Sequence, residues 1–202
     1  MDLKKINRYY EKAMYLAAFV FFAVSVMKQD LFKAVTAATI VVILMSMNKL
    51  ISFTKIELPD AMITAIYSFI VVAMFLADEL SFYSKILYLD KLEHLASGVI
   101  LFCFAKAIYD HITANDDPKS SNTLIPILFC TFFAIAMAGC WEILEFSLDH
   151  LLGLNCQRGS LWDTMTDIIC GTSTSVLTGV YQYIRLTKKA QNPMTEHTKQ
   201  VA

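Results

Sequence analysis

The segment LIPILFCTFFAIAMAGCWEILEF, residues 124–146, carries no charge from Leu124 to Trp141 and then gains Glu142 and Glu145 within four residues. Eighteen uncharged, mostly apolar residues suffice for a membrane-spanning helix and are far too many for a strand. Carboxylates set directly against the end of such a run are costly in lipid, so they point to a function as well as to a fold.

Working outward, five more apolar stretches appear: Ala13–Met27, Ala34–Asn48, Ala61–Ala77, Leu95–Ala105 and Ile168–Ile184. With flanking residues recruited to reach full length, they predict six membrane helices near 10–28, 32–49, 60–78, 91–109, 123–146 and 164–185. The whole of 202 residues supports this reading. It is 56% hydrophobic and 17% charged, where a soluble domain has about 25% charged residues. A chain of this size cannot bury so much apolar surface within itself. The expectation is an all-α polytopic bundle, with residues 1–186 as one integral membrane domain and 187–202 as a polar cytoplasmic tail. The basic residues before Ala13 lead into a long apolar run, and the first helix reads as an uncleaved anchor. The five cysteines form no C-x-x-C pair; Cys103, Cys130, Cys140 and Cys170 sit in apolar runs and only Cys156 in a polar loop. A disulfide framework is not expected.

Lysine and arginine are retained on the cytoplasmic side. With six spans, the side holding both termini carries Lys4, Lys5, Arg8, Lys12, Lys49, Lys55, Lys106, Lys119, Arg185, Lys188, Lys189 and Lys199. The other side has only Lys28, Lys33, Lys85, Lys91 and Arg158. Both termini are therefore expected in the cytoplasm, and the protein in the cytoplasmic (inner) membrane of a bacterium. A net charge of −1 gives no basic excess for nucleic acid.

Three blocks carry acids at helical spacing. In Asp90-Lys-Leu-Glu93-His94-Leu-Ala-Ser-Gly98, Asp90, His94 and Gly98 share a face, while Glu93 lies about 100° from His94. In Trp141-Glu142-Ile-Leu-Glu145-Phe-Ser-Leu-Asp149-His150, Glu142, Glu145 and Asp149 share another. In Trp162-Asp163-Thr-Met-Thr166-Asp167-Ile-Ile-Cys170-Gly171, Asp163 and Asp167 are four apart. The blocks fall at the start of span four, the end of span five and the start of span six, which an alternating bundle places at one membrane face. Trp141, Trp162, Tyr83 and Tyr88 fit an aromatic belt there.

Taken singly, each acid reads as a solvated residue of the interface. Together, at roughly 2.5–3.5 kcal/mol each, Asp90, Glu142, Glu145, Asp149, Asp163 and Asp167 would cost roughly 15–20 kcal/mol at mid-membrane. That exceeds a typical net stability, so the set must share protons, face water or surround a cation. Carboxylates with one imidazole suit Mg²⁺ or Mn²⁺, with Zn²⁺ also open. The expected metal ligands are Glu142, Glu145, Asp149, Asp163, Asp167 and His94. The expected catalytic groups are His94 as base or ligand, Asp90 orienting it, Glu142 and Asp163. Arg158, with Gln157 and Trp162, is the expected substrate-binding group, because guanidinium and amide donors suit a phosphate. Gly98, Gly139, Gly171 and Gly179 read as sites of close helix packing. No organic cofactor is expected.

The matching residues Asp90-Lys-Leu-Glu-His94 with Gly98, Glu142-Ile-Leu-Glu145-Phe, and Gln157, Gly159, Trp162-Asp163 and Asp167 resemble the YjdF-like family of bacterial inner-membrane proteins, over roughly Asp90 to Val180. The Asp90-x-x-x-His94 element alone is also similar to that of VanZ-like proteins, which are linked to glycopeptide resistance. These resemblances imply a multi-pass inner-membrane protein and supply no reaction. The sequence expectation is thus a metal-dependent enzyme, a hydrolase or transferase, acting on a lipid or lipid-linked phosphate at the extracytoplasmic leaflet. A proton- or cation-coupled transporter and a non-catalytic resistance or assembly factor are the alternatives. Membrane lipids are the expected partners, and the sequence does not give an oligomeric state.

Overall fold

A computed structural model describes residues 2–80, 82, 86, 88–114, 123–157 and 160–191. Charged and turn-forming residues set the helix ends. The Asp30 carboxylate accepts from the backbone N–H of Lys33 at 3.1 Å and so caps the start of one helix. Gly153, at φ +67°, ends another in the left-handed conformation that favours glycine. The helices are α1 (Leu3–Met27), α2 (Leu31–Thr54), α3 (Asp60–Ile70), α4 (Leu89–Ile112), α5 (Leu124–Leu152) and α6 (Leu161–Gln191), and α3 continues as a π-helical segment, Val71–Glu79. No strand occurs among the described residues.

Five of these are long and apolar enough to cross a membrane: α1, α2, the continuous run Asp60–Ala77, α4 and α5. Their outer faces carry large exposed apolar side chains, among them Phe19, Phe53, Phe132 and Ile143, as lipid contact requires and water would penalise. The sixth expected span, α6, is less apolar because its inner face carries Asp163, Asp167, Gly171, Ser175 and Thr178. Its 31 residues nonetheless reach about 45 Å, and it lies along α4 and α5 from one end to the other. Every helix outlasts its apolar core. In particular, α6 runs to Gln191, so the expected tail begins as helix, and residues 192–202 lie outside the described residues.

Side-chain contacts give the direction of each helix. Asn7 on α1 donates to the Asp60 carbonyl at 2.8 Å and accepts from the Thr64 hydroxyl at 2.8 Å, so α1 and α3 start at the same end. At the opposite end Lys33 Nζ, near the start of α2, donates to the Glu79 carbonyl at 2.7 Å. Lys91 on α4 reaches Asp163 and Asp167 on α6, Gly98 abuts Gly171, and Gly179 faces Phe102; α4 and α6 are therefore parallel. Gly171 of α6 faces Ala138 of α5 and Gly179 faces Thr131 and Ile127, so α5 runs against both. The start of α1 and the end of α6 consequently lie at one end of an alternating bundle.

The interior has two parts. Met14, Ala18, Ile40, Leu44, Tyr67, Ile70, Met74 and Phe75 fill the space among α1, α2 and α3, and Trp141 of α5 packs against them. Phe102, Ala105, Cys130 and Ala134 form the second core among α4, α5 and α6, where glycines and hydroxyl residues bring the helices close. All five cysteines are free thiols.

The π-helical segment ends just beyond the third span, at Glu79, which is buried with neither carboxylate oxygen hydrogen-bonded. Burial pushes this carboxyl up to about 7, with Asp30 adding to the rise and Lys33 opposing it. A folded-state pKa above the unfolded value means that protonation favours the fold. The contribution is complete below about pH 4.5 and is lost as pH rises through about 7, a change of about 3 kcal/mol. Thermal midpoints in detergent should therefore fall between pH 5 and pH 8, and Glu79→Gln should flatten that part of the profile. An unchanged slope in the variant would assign the pH dependence to other groups.

Candidate functional site

The end of the bundle opposite the start of α1 gathers the start of α4, the end of α5 and the start of α6, as the three acidic blocks require. There the Lys91 ammonium lies 2.7 Å from Asp163 Oδ1, 2.7 Å from Asp167 Oδ1 and 3.2 Å from Asp90 Oδ2. His94 Nε2 sits next to this group, 3.8 Å from Asp90 Oδ1, 3.7 Å from Asp167 Oδ1 and 3.8 Å from Glu142 Oε1. One ligand atom from each of Asp90, His94 and Asp167 falls within 4.8 Å of the other two, a spacing that one metal ion can bridge. Glu142 is 3% exposed and neither of its oxygens has a hydrogen-bond partner.

The charges do not balance by themselves. Asp90, Asp163 and Asp167 face one ammonium, and Glu142 adds a further acid in a buried position. An unpaired buried carboxylate costs several kcal/mol, so the group needs a proton or a second cation. Protonation of one of the carboxylates would supply the first, and an imidazolium at His94 or a divalent ion between Asp90, His94 and Asp167 would supply the second.

The remaining expected residues have other surroundings. Glu145 accepts from Trp141 Nε1 at 2.9 Å. Asp149 accepts from the backbone N–H groups of Cys156 at 2.6 Å and Gln157 at 3.0 Å, which makes it the anchor of the turn after α5; it is not brought into the cluster. The Gln157 amide donates to Thr164 Oγ1 at 2.9 Å and to the Glu142 carbonyl at 3.5 Å, tying that turn to both helices. Trp162 is largely exposed, as is Tyr88, in keeping with an interfacial belt, whereas Trp141 is an interior residue that bonds Glu145. Arg158, Gly159 and Tyr83 lie outside the described residues.

Residues 10–188 match the model of a family described as predicted membrane protein (DUF2238). The chain belongs to this family. The YjdF-like proteins are members of it, so the resemblance carried by the three blocks holds for the chain as a whole. No curated protein and no solved structure matches the chain. For this family member, then, membrane embedding is established, and the chemistry rests on the site.

The residue that sequence reading passed over as a site member is Lys91. A signal existed: Lys91, His94 and Gly98 step by three and four along α4 and so share the face turned to α6. Of the four glycines, Gly98, Gly171 and Gly179 each face a neighbouring helix closely, whereas a Cβ at Gly139 would meet nothing within 4 Å. Gly139 is thus not a packing glycine but a place where α5 faces open space.

Proposed function

We propose that this protein is a metal-dependent membrane enzyme that acts on a lipid or lipid-linked phosphate at the extracytoplasmic leaflet of a bacterial cytoplasmic membrane. The observation that carries the reading is the Asp90, His94 and Asp167 triad, with atoms within 4.8 Å of one another, beside the buried and unpartnered Glu142. In this reading the triad holds Mg²⁺ or Mn²⁺, with Zn²⁺ the third candidate. Glu142 exchanges protons with the reacting group. Lys91 holds Asp163 and Asp167 in place and supplies positive charge toward a phosphate, and Arg158 is a second such cation. The distribution of lysine and arginine supports the outward orientation of the cluster.

Metal analysis of protein purified without chelator tests this. About one divalent ion per chain is expected, with Mn²⁺ affinity reduced at least tenfold in Asp167→Asn and His94→Gln. Metal-free protein whose Mn²⁺ binding is negligible and indifferent to these substitutions would overturn the reading. A carrier that exchanges protons on the same acids is the second reading, favoured by the ammonium already seated between Asp163 and Asp167. It requires no divalent ion, so the same measurement separates the two.

A further inference from the structure

The helix of the third span does not end as it begins. Its last nine residues, Val71–Glu79, are π-helical, and beyond them the Leu80 N–H bonds the Phe75 carbonyl at 3.0 Å in the same i to i+5 pattern. Such turns usually occur singly and are frequent at functional sites. Glu79, the last residue of the run, is 2% exposed, and neither of its carboxylate oxygens has a hydrogen-bond partner. A cation is at hand and does not meet that carboxylate. Lys33 Nζ of α2 donates instead to the Glu79 main-chain carbonyl at 2.7 Å, while the Asp30 carboxylate is committed to the Lys33 backbone N–H.

These contacts describe a carboxyl that is uncharged. An ionised carboxylate in this position would lose its water and gain no donor, while the ammonium that already touches the residue stayed on a neutral carbonyl. The helix type decides where the side chain points. With bonds from i to i+5, a π-helix turns less per residue than an α-helix, and over nine residues the difference grows to a substantial part of a turn. The same segment wound as an α-helix would carry Glu79 round the axis and off its buried face. The charges that act on Glu79 are Lys33 and Asp30 of α2. On α4, which also packs against the segment, Asp90, Lys91 and His94 are engaged in the acidic cluster, and Glu93 is a further buried acid. The contacts from α1 and α5 are aromatic: Phe21 on Phe75, and Trp141 on the core that contains Met74 and Phe75.

We infer that Val71–Glu79 is a pH-operated switch: when the Glu79 carboxyl gives up its proton to water, the carboxylate moves onto the Lys33 ammonium and the segment rewinds from π- to α-helical register. The form described above is the protonated one. Burial raises this carboxyl to about 7, against the pull of Lys33 and with the help of Asp30. Because the shift is upward, the π-helical form holds below that pH and gives way above it. Met74 and Phe75 turn with the segment, and Trp141 packs against the core to which they belong. Trp141 bonds Glu145, and Glu142 is the residue next to it on α5. The movement thus reaches the side of α5 that borders the acidic cluster, whether or not that cluster holds a metal.

Rewinding changes the partner of every N–H in the segment, so hydrogen–deuterium exchange of the full-length protein in micelles tests it. Rates are taken from pH 5.5 to pH 8.5 and corrected for the effect of pH on intrinsic exchange. Peptides covering residues 71–80 should change rate at least tenfold, with a midpoint near pH 7, and stay protected at both extremes, while peptides from the middle of α4 keep one rate. Glu79→Gln should hold the low-pH rate throughout, and Glu93→Gln should keep the response. Asp30→Asn retains the capping oxygen and removes a charge that raises Glu79, so it should move the midpoint to lower pH; this variant decides the matter if Glu79→Gln fails to fold. A rate indifferent to pH, a response that survives in Glu79→Gln, a response lost in Glu93→Gln or a midpoint unmoved by Asp30→Asn would each overturn the inference. Complete loss of protection at pH 8.5 would overturn it too, since the segment would then melt and not rewind. Metal binding without the response sinks the switch alone, and the response in metal-free protein leaves the switch standing.

Discussion

Lys91→Met is expected to cost about 3 kcal/mol of stability, at the lower end of the range for removing one partner of a buried ion pair. The side chain is 22% exposed, which allows some relief by water and rules out the upper end. Methionine keeps the length and apolar stem of lysine and removes only the ammonium. What remains is three aspartates from two helices with their shared cation gone, and Asp167 is only 3% exposed. Asp90 and Asp163 are each less than a fifth exposed, so their mutual repulsion is weakly screened. Denaturation in mixed micelles at pH 7 measures the loss, and Asp163→Asn added to Lys91→Met should restore a substantial part of it. A divalent cation gives a second readout. If one binds at Asp90, His94 and Asp167, millimolar Mn²⁺ should raise the midpoint of Lys91→Met more than that of the wild type, since the variant has more uncompensated charge to neutralise. A Lys91→Met protein within 0.5 kcal/mol of wild type would mean that the acids are already protonated or hydrated, and that the ammonium does not organise them.

The different fates of Lys91 and its neighbours show what spacing along a helix can and cannot convey. Hydropathy located each span because lipid contact imposes one requirement on a long run of residues. Alternation of direction then placed three acidic blocks at one end without any knowledge of contacts. Which acids meet was a different matter. Glu142 and Asp149 share a face of α5, yet Glu142 stands beside His94 while Asp149 turns to the N–H groups of Cys156 and Gln157. The helix ends at Gly153, and beyond that point the returning chain decides what the last acid faces. Lysine hides its role for another reason, because its long stem carries the ammonium away from the position its Cα suggests. The inward-facing Glu79 was equally illegible. It lies at the end of a π-helical segment, whose wider turn breaks the 3.6-residue period on which such predictions depend.

Close approach of α4 and α6 underlies the whole site, and Gly98→Ala should therefore cost about 3 kcal/mol, the upper part of the range for overpacking. A methyl group at Gly98 would run into the carbonyl oxygen of Gly171 and the hydroxyl of Thr174. The hydroxyl can rotate away; the carbonyl belongs to a helix backbone and cannot. Relief requires the helices to separate, and they carry the two halves of the candidate metal triad, Asp90 and His94 on α4 and Asp167 on α6. Mn²⁺ affinity should consequently fall along with stability, although Gly98 supplies no ligand atom. The other glycines form an internal scale. At Gly179 the nearest obstacle is the Thr131 side chain at 2.7 Å, and at Gly171 it is the Ala138 methyl at 3.2 Å, so alanine there should cost progressively less. At Gly139, where nothing lies within 4 Å, alanine should be neutral or slightly stabilising through helix propensity, by up to about 1 kcal/mol. The measured order of thermal midpoints should then be Gly139→Ala highest, followed by Gly171→Ala, Gly179→Ala and Gly98→Ala. If Gly98→Ala instead matched Gly139→Ala in both stability and Mn²⁺ affinity, the two helices would have slack between them, and the triad could not be held at the separation that a single ion requires.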